Sequence, residues 1–195
     1  ALWLLEHDSV ITTGRRKVAT LPSAEILAQT GTELVQTERG GLATWHGPGQ
    51  LVAYAIVDAW SRGLGARGMV CAMEAGIIAY LAHSGICASR RPGFPGVWVD
   101  KNKICAVGMH FSRGVSMHGI ALNLNNDFSG FGMIEPCGIT DGGITSVQKI
   151  LGTAPTPSQA AKGLAGALIT AIEAGSCQKA PAHSPKTVDA SHHER

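Results

Sequence analysis

The chain has 195 residues, 45% of them hydrophobic, which is enough to bury one sizeable core, and no shift in composition marks a second domain. Sixteen Lys and Arg against fourteen Asp and Glu give a formal net charge of +2, and the basic residues are scattered, so nucleic acid is not an implied partner. The longest apolar stretch, Met69 to Ile86, is interrupted by Glu74 and His83 and predicts a buried helix, not a membrane span.

The first part of the chain is predicted to form short strands with one helix. Ala1 to Thr13 is strand-like from its first residue, which predicts that part of the fold precedes it. A turn at Gly14 to Lys17 follows, and then a short helix that is capped by Ser23 and ends at Gly31. Glu33 to Thr37 is predicted to be the next strand.

The rest of the chain combines two long helices with hairpins. The helices are predicted from Met69 to Gly85 and from Thr156 to Gly175, the second with a capping box formed by Thr156 and Gln159. Polar turns separate three strands between them, Val97 to Val99, Lys103 to Met109 and Met117 to Leu124. This order predicts an α+β fold, a mixed or antiparallel sheet with flanking helices.

The domain boundary is predicted near the C-terminus. Residues 1–178 are expected to form a single domain. Residues 179–195 lack large apolar side chains and are rich in Pro, Ser, His and charge, so they are expected to form a disordered tail.

The densest motif is Arg39 to Gln50, which holds four glycines, a proline, an arginine and a histidine within twelve residues. Glycine permits positive φ and close approach of the backbone to another group, so a ligand-binding loop is one interpretation. A plain turn between two strands is the other. The spacing of a nucleotide-binding P-loop is absent.

Lys103 and Cys105 lie in a predicted strand. Strict alternation would place Lys103, Cys105 and Val107 on one face. A lysine in a strand is usually exposed to solvent, and the alternative is a partly buried ammonium beside a thiol.

The five cysteines are an odd number, too sparse for a disulfide framework, and none forms a C-x-x-C pair. Free thiols in a reducing, cytoplasmic setting are therefore expected. Cys71, Cys87 and Cys177 resemble small buried residues of helices and their ends. Cys137, between Pro136 and Gly138, and Cys105, near Lys103, are both candidate nucleophiles on this pattern.

Three histidines, His46, His110 and His118, could in principle join two cysteines in a zinc site. Their spacing matches no compact pattern of metal ligands, so neither a metal nor any other cofactor is expected.

Five ordered blocks of this chain resemble those of the lipoyl(octanoyl) transferase family. The block R-G-G-x-x-T-[aromatic]-H-x-P-G-Q-x-x-x-Y is matched from Arg39 to Tyr54. The blocks P-G-V-[aromatic], K-I-x-x-x-G, H-G-x-A-L-N and P-C-G are matched in turn by Pro95 to Trp98, Lys103 to Gly108, His118 to Asn123 and Pro136 to Gly138. The flanks of this region match only loosely.

The resemblance implies the α+β domain shared with biotin and lipoate protein ligases. It implies that Cys137 carries the acyl group, that Lys103 is its catalytic partner and that Cys105 is a neighbour in the strand. The substrate contacts that it implies are Arg39, Gly40, Gly41, Leu42, Ala43, Thr44, Trp45, His46, Ala106, Val107, Gly108, Gly119, Ile120 and Ala121.

The reaction implied by the resemblance moves an octanoyl group from octanoyl-acyl carrier protein to a lysine of a lipoyl domain, the first step of protein lipoylation. The expected acceptors are the lipoyl domains of 2-oxoacid dehydrogenase complexes and the glycine cleavage H protein. Lys103 as an ammonium would favour the thiolate of Cys137 and then exchange a proton with each leaving or attacking group. The alternatives are an ATP-dependent lipoate or biotin ligase and a non-catalytic module that binds acyl carriers or lipoyl domains.

Overall fold

The computed structural model describes residues 1–134 and 142–175. Its strands are β1 (Leu2–Leu5), β2 (Val10–Thr13), β3 (Glu33–Gln36), β4 (Thr44–His46), β5 (Gln50–Ala55), β6 (Ser89–Arg91), β7 (Phe94–Val99), β8 (Asn102–Ser112), β9 (Val115–Asn123) and β10 (Gly143–Ile144). Its α-helices are α1 (Ala24–Thr30), α2 (Gly65–His83), α3 (Val147–Leu151) and α4 (Pro157–Ala174), and a 3-10 helix covers Ser129–Met133.

The strands form two sheets. The larger runs in the order β1-β5-β9-β8-β7-β6, and β10 pairs with the start of β8; the smaller runs β3-β2-β4. Most neighbours are antiparallel, whereas β10 runs parallel to β8 and β3 runs parallel to β2. The predicted α+β fold with a mixed sheet and flanking helices is therefore confirmed.

The main core lies between one face of the larger sheet and the two long helices. It contains side chains such as Leu51 and Leu122 from the sheet, Met73 and Ile77 from α2, and Leu168 from α4. α2 has the length and composition of a helix that could cross a membrane. Eight of its residues are buried, so it serves as the core helix that the sequence predicted.

Local signals placed the long helices and the hairpins well. Thr156 and Gln159 form the capping box of α4, which ends at Gly175 with a φ of 62°. Ser23 caps α1. The turn between β7 and β8 carries a positive φ at Asp100, and the turn between β8 and β9 carries one at Arg113.

The strand character predicted for Ala1 to Thr13 is confirmed, but the segment does not form one continuous strand. The segment is broken at residues 6–9, and its two halves, β1 and β2, join different sheets. The polar side chains of this break bind the glycine-rich segment: the Glu6 carboxylate accepts the N–H of Gly49, and the Ser9 hydroxyl accepts the indole N–H of Trp45 at 2.9 Å. These contacts are long-range and leave no local sequence signal.

Candidate active site

Lys103 stands near the start of β8, fixed from both sides. Its backbone pairs with Trp98 of β7 and with Ile144 of β10. Its carbonyl accepts the N–H of Thr145 at 3.0 Å. The Lys103 Nζ lies 4.8 Å from the centroid of the Trp98 ring, a cation–π distance. The side chain is half-buried, so Lys103 is not the fully exposed strand lysine of the simpler interpretation.

Gly96 leaves space for the Lys103 side chain. It has a φ of 129°, and a Cβ there would lie 2.7 Å from the Cys105 carbonyl oxygen and 3.2 Å from Lys103 Cε. Its N–H donates to Glu74 Oε1 at 2.9 Å, and the other oxygen of Glu74 accepts from Arg90 at 3.0 Å. This partly buried ion pair therefore anchors the backbone against which the lysine lies.

The alternation predicted for β8 is wrong because the strand pair contains a bulge. Val97 pairs with Cys105 and Trp98 with Lys103, so Ile104 is an extra residue on β8. Ile104 and Cys105 consequently both enter the main core, and Ala106 shares the cavities beside Lys103. Lys103 and Cys105 do not form a pair on one face.

The cysteines of the described residues differ in exposure and in disulfide bonding. Cys105 is 0% exposed, and burial raises the pKa of its thiol far above its usual range. Cys87 is an exposed free thiol. Cys71 is disulfide-bonded, so the expectation of free thiols is wrong for this residue. Spacing along the chain did not reveal which cysteines approach each other in space.

Cys137 lies outside the described residues, as does Cys177. The residues that flank the undescribed segment 135–141 are Ile134 and Gly142. Both line one small pocket together with Lys103.

Three cavities meet at Lys103, which within residues 1–134 and 142–175 is the residue common to their linings. The side pocket, about 50 Å³, is lined mainly by apolar groups and small residues: Ala43, Thr44, Gln50, Lys103, Ala106, Ala121, Asn123, Phe131, Ile134, Gly142, Gly143 and Ile144. The inner cavity, about 110 Å³, extends from Lys103, Ala106 and Ala121 to Arg39, His46, Tyr54 and His118. The outer groove, about 1050 Å³, opens between Arg16, Lys17, Arg67, Phe94 and Phe111.

The glycine-rich loop is held down on β8 by backbone contacts. The Gly40 N–H donates to the Met109 carbonyl at 2.9 Å. A Cβ on Gly108 would lie 3.1 Å from Arg39 Cδ and 3.2 Å from the Gly40 carbonyl oxygen. Glycine at position 108 therefore permits the close approach that forms one wall of the inner cavity.

Arg39 is a buried cation that joins this loop to the smaller sheet. Its Nε and one terminal nitrogen donate to the Thr12 hydroxyl at 3.2 and 3.0 Å, and the same terminal nitrogen donates to the Thr12 carbonyl. The other terminal nitrogen donates to the Gly40 carbonyl at 3.1 Å. The guanidinium thus fixes the loop backbone from within.

His46 is a neutral hydrogen-bonded group. Its Nδ1 lies 2.8 Å from the Gln50 side-chain oxygen, and its Nε2 lies 3.4 Å from the Thr12 hydroxyl. Because the Gln50 oxygen only accepts, Nδ1 carries the proton and Nε2 accepts from Thr12. Burial lowers the pKa of His46 to about 4, and the nearby Arg39 charge lowers it further against the raising effect of Gln50. Its two ring nitrogens are both occupied within the protein.

The predicted contact residues lie around the three cavities with one exception. Trp45 lines none of them; it is buried in a second core cluster, where its ring meets Phe131 edge-on at 5.3 Å. A Cβ on Gly47 or Gly130 would overlap its indole. Its position is that of a packing residue beneath the loop, and its role as a substrate contact stays a prediction.

Sequence reasoning missed five other inner-cavity residues, one of which is Val52 of β5. Thr12 and Thr37 come from near the smaller sheet, far from any motif, so no local signal identified them. Tyr54 and His118 do stand within matched blocks. His118 has a φ of 60°, uncommon for a residue with a side chain, and its ring meets that of Tyr54 edge-on at 6.1 Å.

The histidines weighed as zinc ligands are not grouped for that role. His110 lies 3.5 Å from the Glu38 carboxylate, whereas His46 bonds Gln50 and Thr12. Among residues 1–134 and 142–175, no group of three His, Cys, Asp or Glu side chains is placed to hold a metal ion.

Comparison with known proteins places these features in a wider group. The model of the lipoyl protein ligase A/B catalytic domain matches residues 1–169. The chain is 46% identical over 158 residues to an octanoyltransferase of Nitratidesulfovibrio vulgaris, covering 80% of this chain and 72% of that protein. It is 43% identical over 154 residues to the mitochondrial octanoyl-[acyl-carrier-protein]:protein N-octanoyltransferase of Xenopus tropicalis, covering 78% of this chain and 64% of the relative.

Solved structures show the same fold at low sequence identity. Lipoate-protein ligase A bound with ATP matches with a TM-score of 0.69 at 16% identity, over 89% of this chain and 71% of the other. Biotin protein ligase from Aquifex aeolicus matches with a TM-score of 0.52 at 15% identity, over 84% of this chain and 69% of the other.

Proposed function

The chain belongs to the lipoyl protein ligase A/B catalytic domain family and is similar throughout most of its length to octanoyltransferases, and from this we propose that it is an acyltransferase of protein lipoylation. It transfers an octanoyl group from octanoyl-acyl carrier protein to the lysine of a lipoyl domain. The acyl group passes through a thioester on Cys137, with Lys103 as the proton donor and acceptor.

The position of Lys103 carries this proposal. Among the described residues it is the one at which the three cavities meet, and Ile134 and Gly142, which flank segment 135–141 in the chain, line the side pocket beside it. Cys137 is three residues from Ile134, so the chain limits their separation to about 11 Å. Of the other thiols, Cys105 is buried in the core and Cys71 is disulfide-bonded.

The first half-reaction forms the acyl-enzyme. The Lys103 ammonium favours the Cys137 thiolate, which is the nucleophilic form. The thiolate attacks the thioester carbonyl, a new carbon–sulfur bond forms, and the bond to the pantetheine sulfur breaks. Lys103 gives its proton to the departing thiolate and becomes neutral.

The second half-reaction restores the pair. The neutral amine of the acceptor lysine attacks the acyl-enzyme, the amide forms, and Cys137 leaves as a thiolate. Lys103 takes the proton that the attacking amine loses. Donor and acceptor therefore react in turn, and the two steps are measurable separately.

The acyl chain is assigned to the space around the small residues beside Lys103. Ala106 and Ala121 border both the side pocket and the inner cavity, and Gly108 borders the inner cavity. Each methylene buried there contributes about 0.8 kcal/mol. The remaining predicted contact residues are proposed to enclose this space, with Arg39 and His46 fixing its walls.

The acceptors proposed are the lipoyl domains of 2-oxoacid dehydrogenase complexes and the glycine cleavage H protein, without nucleic acid or membrane as a partner. A cytoplasmic location is also proposed. The disulfide at Cys71 weakens the argument from free thiols, and a bacterial octanoyltransferase among the relatives now supports the location best. The division into a domain at 1–178 and a tail at 179–195 stays a prediction.

The main rival is an ATP-dependent ligase, because the fold is shared with lipoate-protein ligase A. The test supplies purified lipoyl domain with either octanoyl-acyl carrier protein alone or free octanoate with ATP. The proposal is supported if the lipoyl domain is octanoylated from the carrier without ATP. This activity should be reduced by at least a hundredfold in Cys137→Ala and unchanged in Cys87→Ser. Octanoylation from free acid that depends on ATP would identify a ligase, and binding without transfer from either source would identify a non-catalytic module.

A further inference from the structure

The outer groove has a charge that the transfer chemistry leaves unexplained. Its described lining includes Arg16, Lys17 and Arg67 in addition to Lys103, and no Asp or Glu among residues 1–134 and 142–175. The three outer cations are exposed. Within residues 1–134 and 142–175 none of them forms an ion pair, in contrast to Arg90, which is paired with Glu74.

Between these cations and Lys103 the groove is mainly apolar. Val70 of α2, Phe94, Pro95, Met109 and Phe111 contribute to its walls. Its volume of about 1050 Å³ is roughly ten times that of the inner cavity, so it is a wide entrance and not a tight pocket. A ligand that fits it has an anionic group at the outer end and a reactive group that reaches Lys103.

We propose that the outer groove binds the phosphopantetheine arm of the acyl donor, with Arg16, Lys17 and Arg67 holding its phosphodiester. This inference rests on the proposed function. The arm has the required polarity: a negative phosphodiester lies at the end attached to the carrier, and the acyl thioester lies at the other end. Arginine and lysine are the side chains suited to binding phosphate oxygens.

The acceptor does not fit the same groove. Its reacting group is a lysine, which is an ammonium before it loses its proton, and three unpaired cations would repel it. The charge of the groove therefore discriminates between the two substrates and assigns it to the donor.

The test compares two donors that differ only in the phosphate, octanoyl-phosphopantetheine and octanoyl-pantetheine. Thiol release is followed with a lipoyl domain held constant, and kcat/KM for each donor reports the first half-reaction alone. The variants are Arg16→Gln, Lys17→Gln and Arg67→Gln, singly and combined. Lys162→Gln, an exposed lysine of α4 outside the groove, is the matched control.

The wild type and the control should prefer the phosphorylated donor by about tenfold at low salt, and the triple variant should show almost no preference. In the triple variant, activity with octanoyl-pantetheine should fall much less than activity with octanoyl-phosphopantetheine, and the preference of the wild type should fall as salt screens the charges. Equal kcat/KM for both donors in the wild type, or an undiminished preference in a folded triple variant, would overturn the inference. So would a triple variant that changes only the KM of the lipoyl domain. If the wild type releases no thiol from either donor and none from octanoyl-acyl carrier protein, the proposed function itself is refuted.

Discussion

Acidification should destabilise this fold through one buried histidine. His46 has a pKa of about 4 in the folded protein, against 6.5 for an ordinary histidine. As the pH falls below 6.5, His46 takes up a proton in the unfolded chain but not in the folded chain. Its neutral form therefore supports the full free energy of unfolding above pH 6.5, and this free energy decreases as the pH falls towards 4. At about 1.36 kcal/mol per pH unit the whole effect is about 3 kcal/mol, and about 2 kcal/mol of it is lost between pH 7 and pH 5.

The assay is urea unfolding of the wild type and of His46→Gln at pH 7 and pH 5. Glutamine keeps a polar group beside Gln50 but does not titrate. Between pH 7 and pH 5 the free energy of unfolding of His46→Gln should therefore fall by about 2 kcal/mol less than that of the wild type. His7 and His118, whose pKa values are also lowered by burial, titrate in both proteins and cancel in the comparison. An identical pH dependence in the two proteins, or a wild type that is more stable at pH 5 than at pH 7, would refute the reasoning.

Two further predictions concern the site itself. Lys103→Arg keeps a cation near the thiol but can neither give up a proton in the first half-reaction nor take one in the second, so formation of the acyl-enzyme and its transfer to the lipoyl domain should each slow by about a hundredfold or more; single-turnover mass spectrometry of each half-reaction would show this, and an undiminished rate of either step would contradict the assigned proton transfer. Gly108→Val would force the glycine-rich loop away from β8, because a Cβ already meets Arg39 Cδ at 3.1 Å. Octanoyl transfer should fall at least tenfold with a loss of about 1–3 kcal/mol in the free energy of unfolding, whereas Gly166→Ala, which meets no atom within 4 Å, should retain both.

Local signals in the sequence were sufficient for much of the fold. The capping residues of α4 and the polar turns around β8 act on their nearest neighbours along the chain, so their patterns identified the elements directly. The break between β1 and β2 depends on contacts of Glu6 and Ser9 with residues about forty positions away, which no local pattern records.

For the site, too, local sequence patterns predicted some features and missed others. Lys103 could be selected from a motif, but its relation to Cys105 was predicted wrongly, because alternation assumes an unbroken ladder and a single extra residue at Ile104 reverses it. The part played by Thr12 could not be predicted, since it contacts Arg39 and His46 across 27 and 34 positions of the chain. The cation pattern of the outer groove likewise appears only once the chain is folded.

The central claim is that Cys137 carries the acyl group, and intact mass spectrometry tests it most directly. The protein is mixed with octanoyl-acyl carrier protein without acceptor, and the mass is recorded before and after hydroxylamine. The account predicts one hydroxylamine-labile octanoyl adduct in the wild type, in Cys87→Ser and in Cys105→Ala, and none in Cys137→Ser. A labile adduct that persists in Cys137→Ser would contradict it.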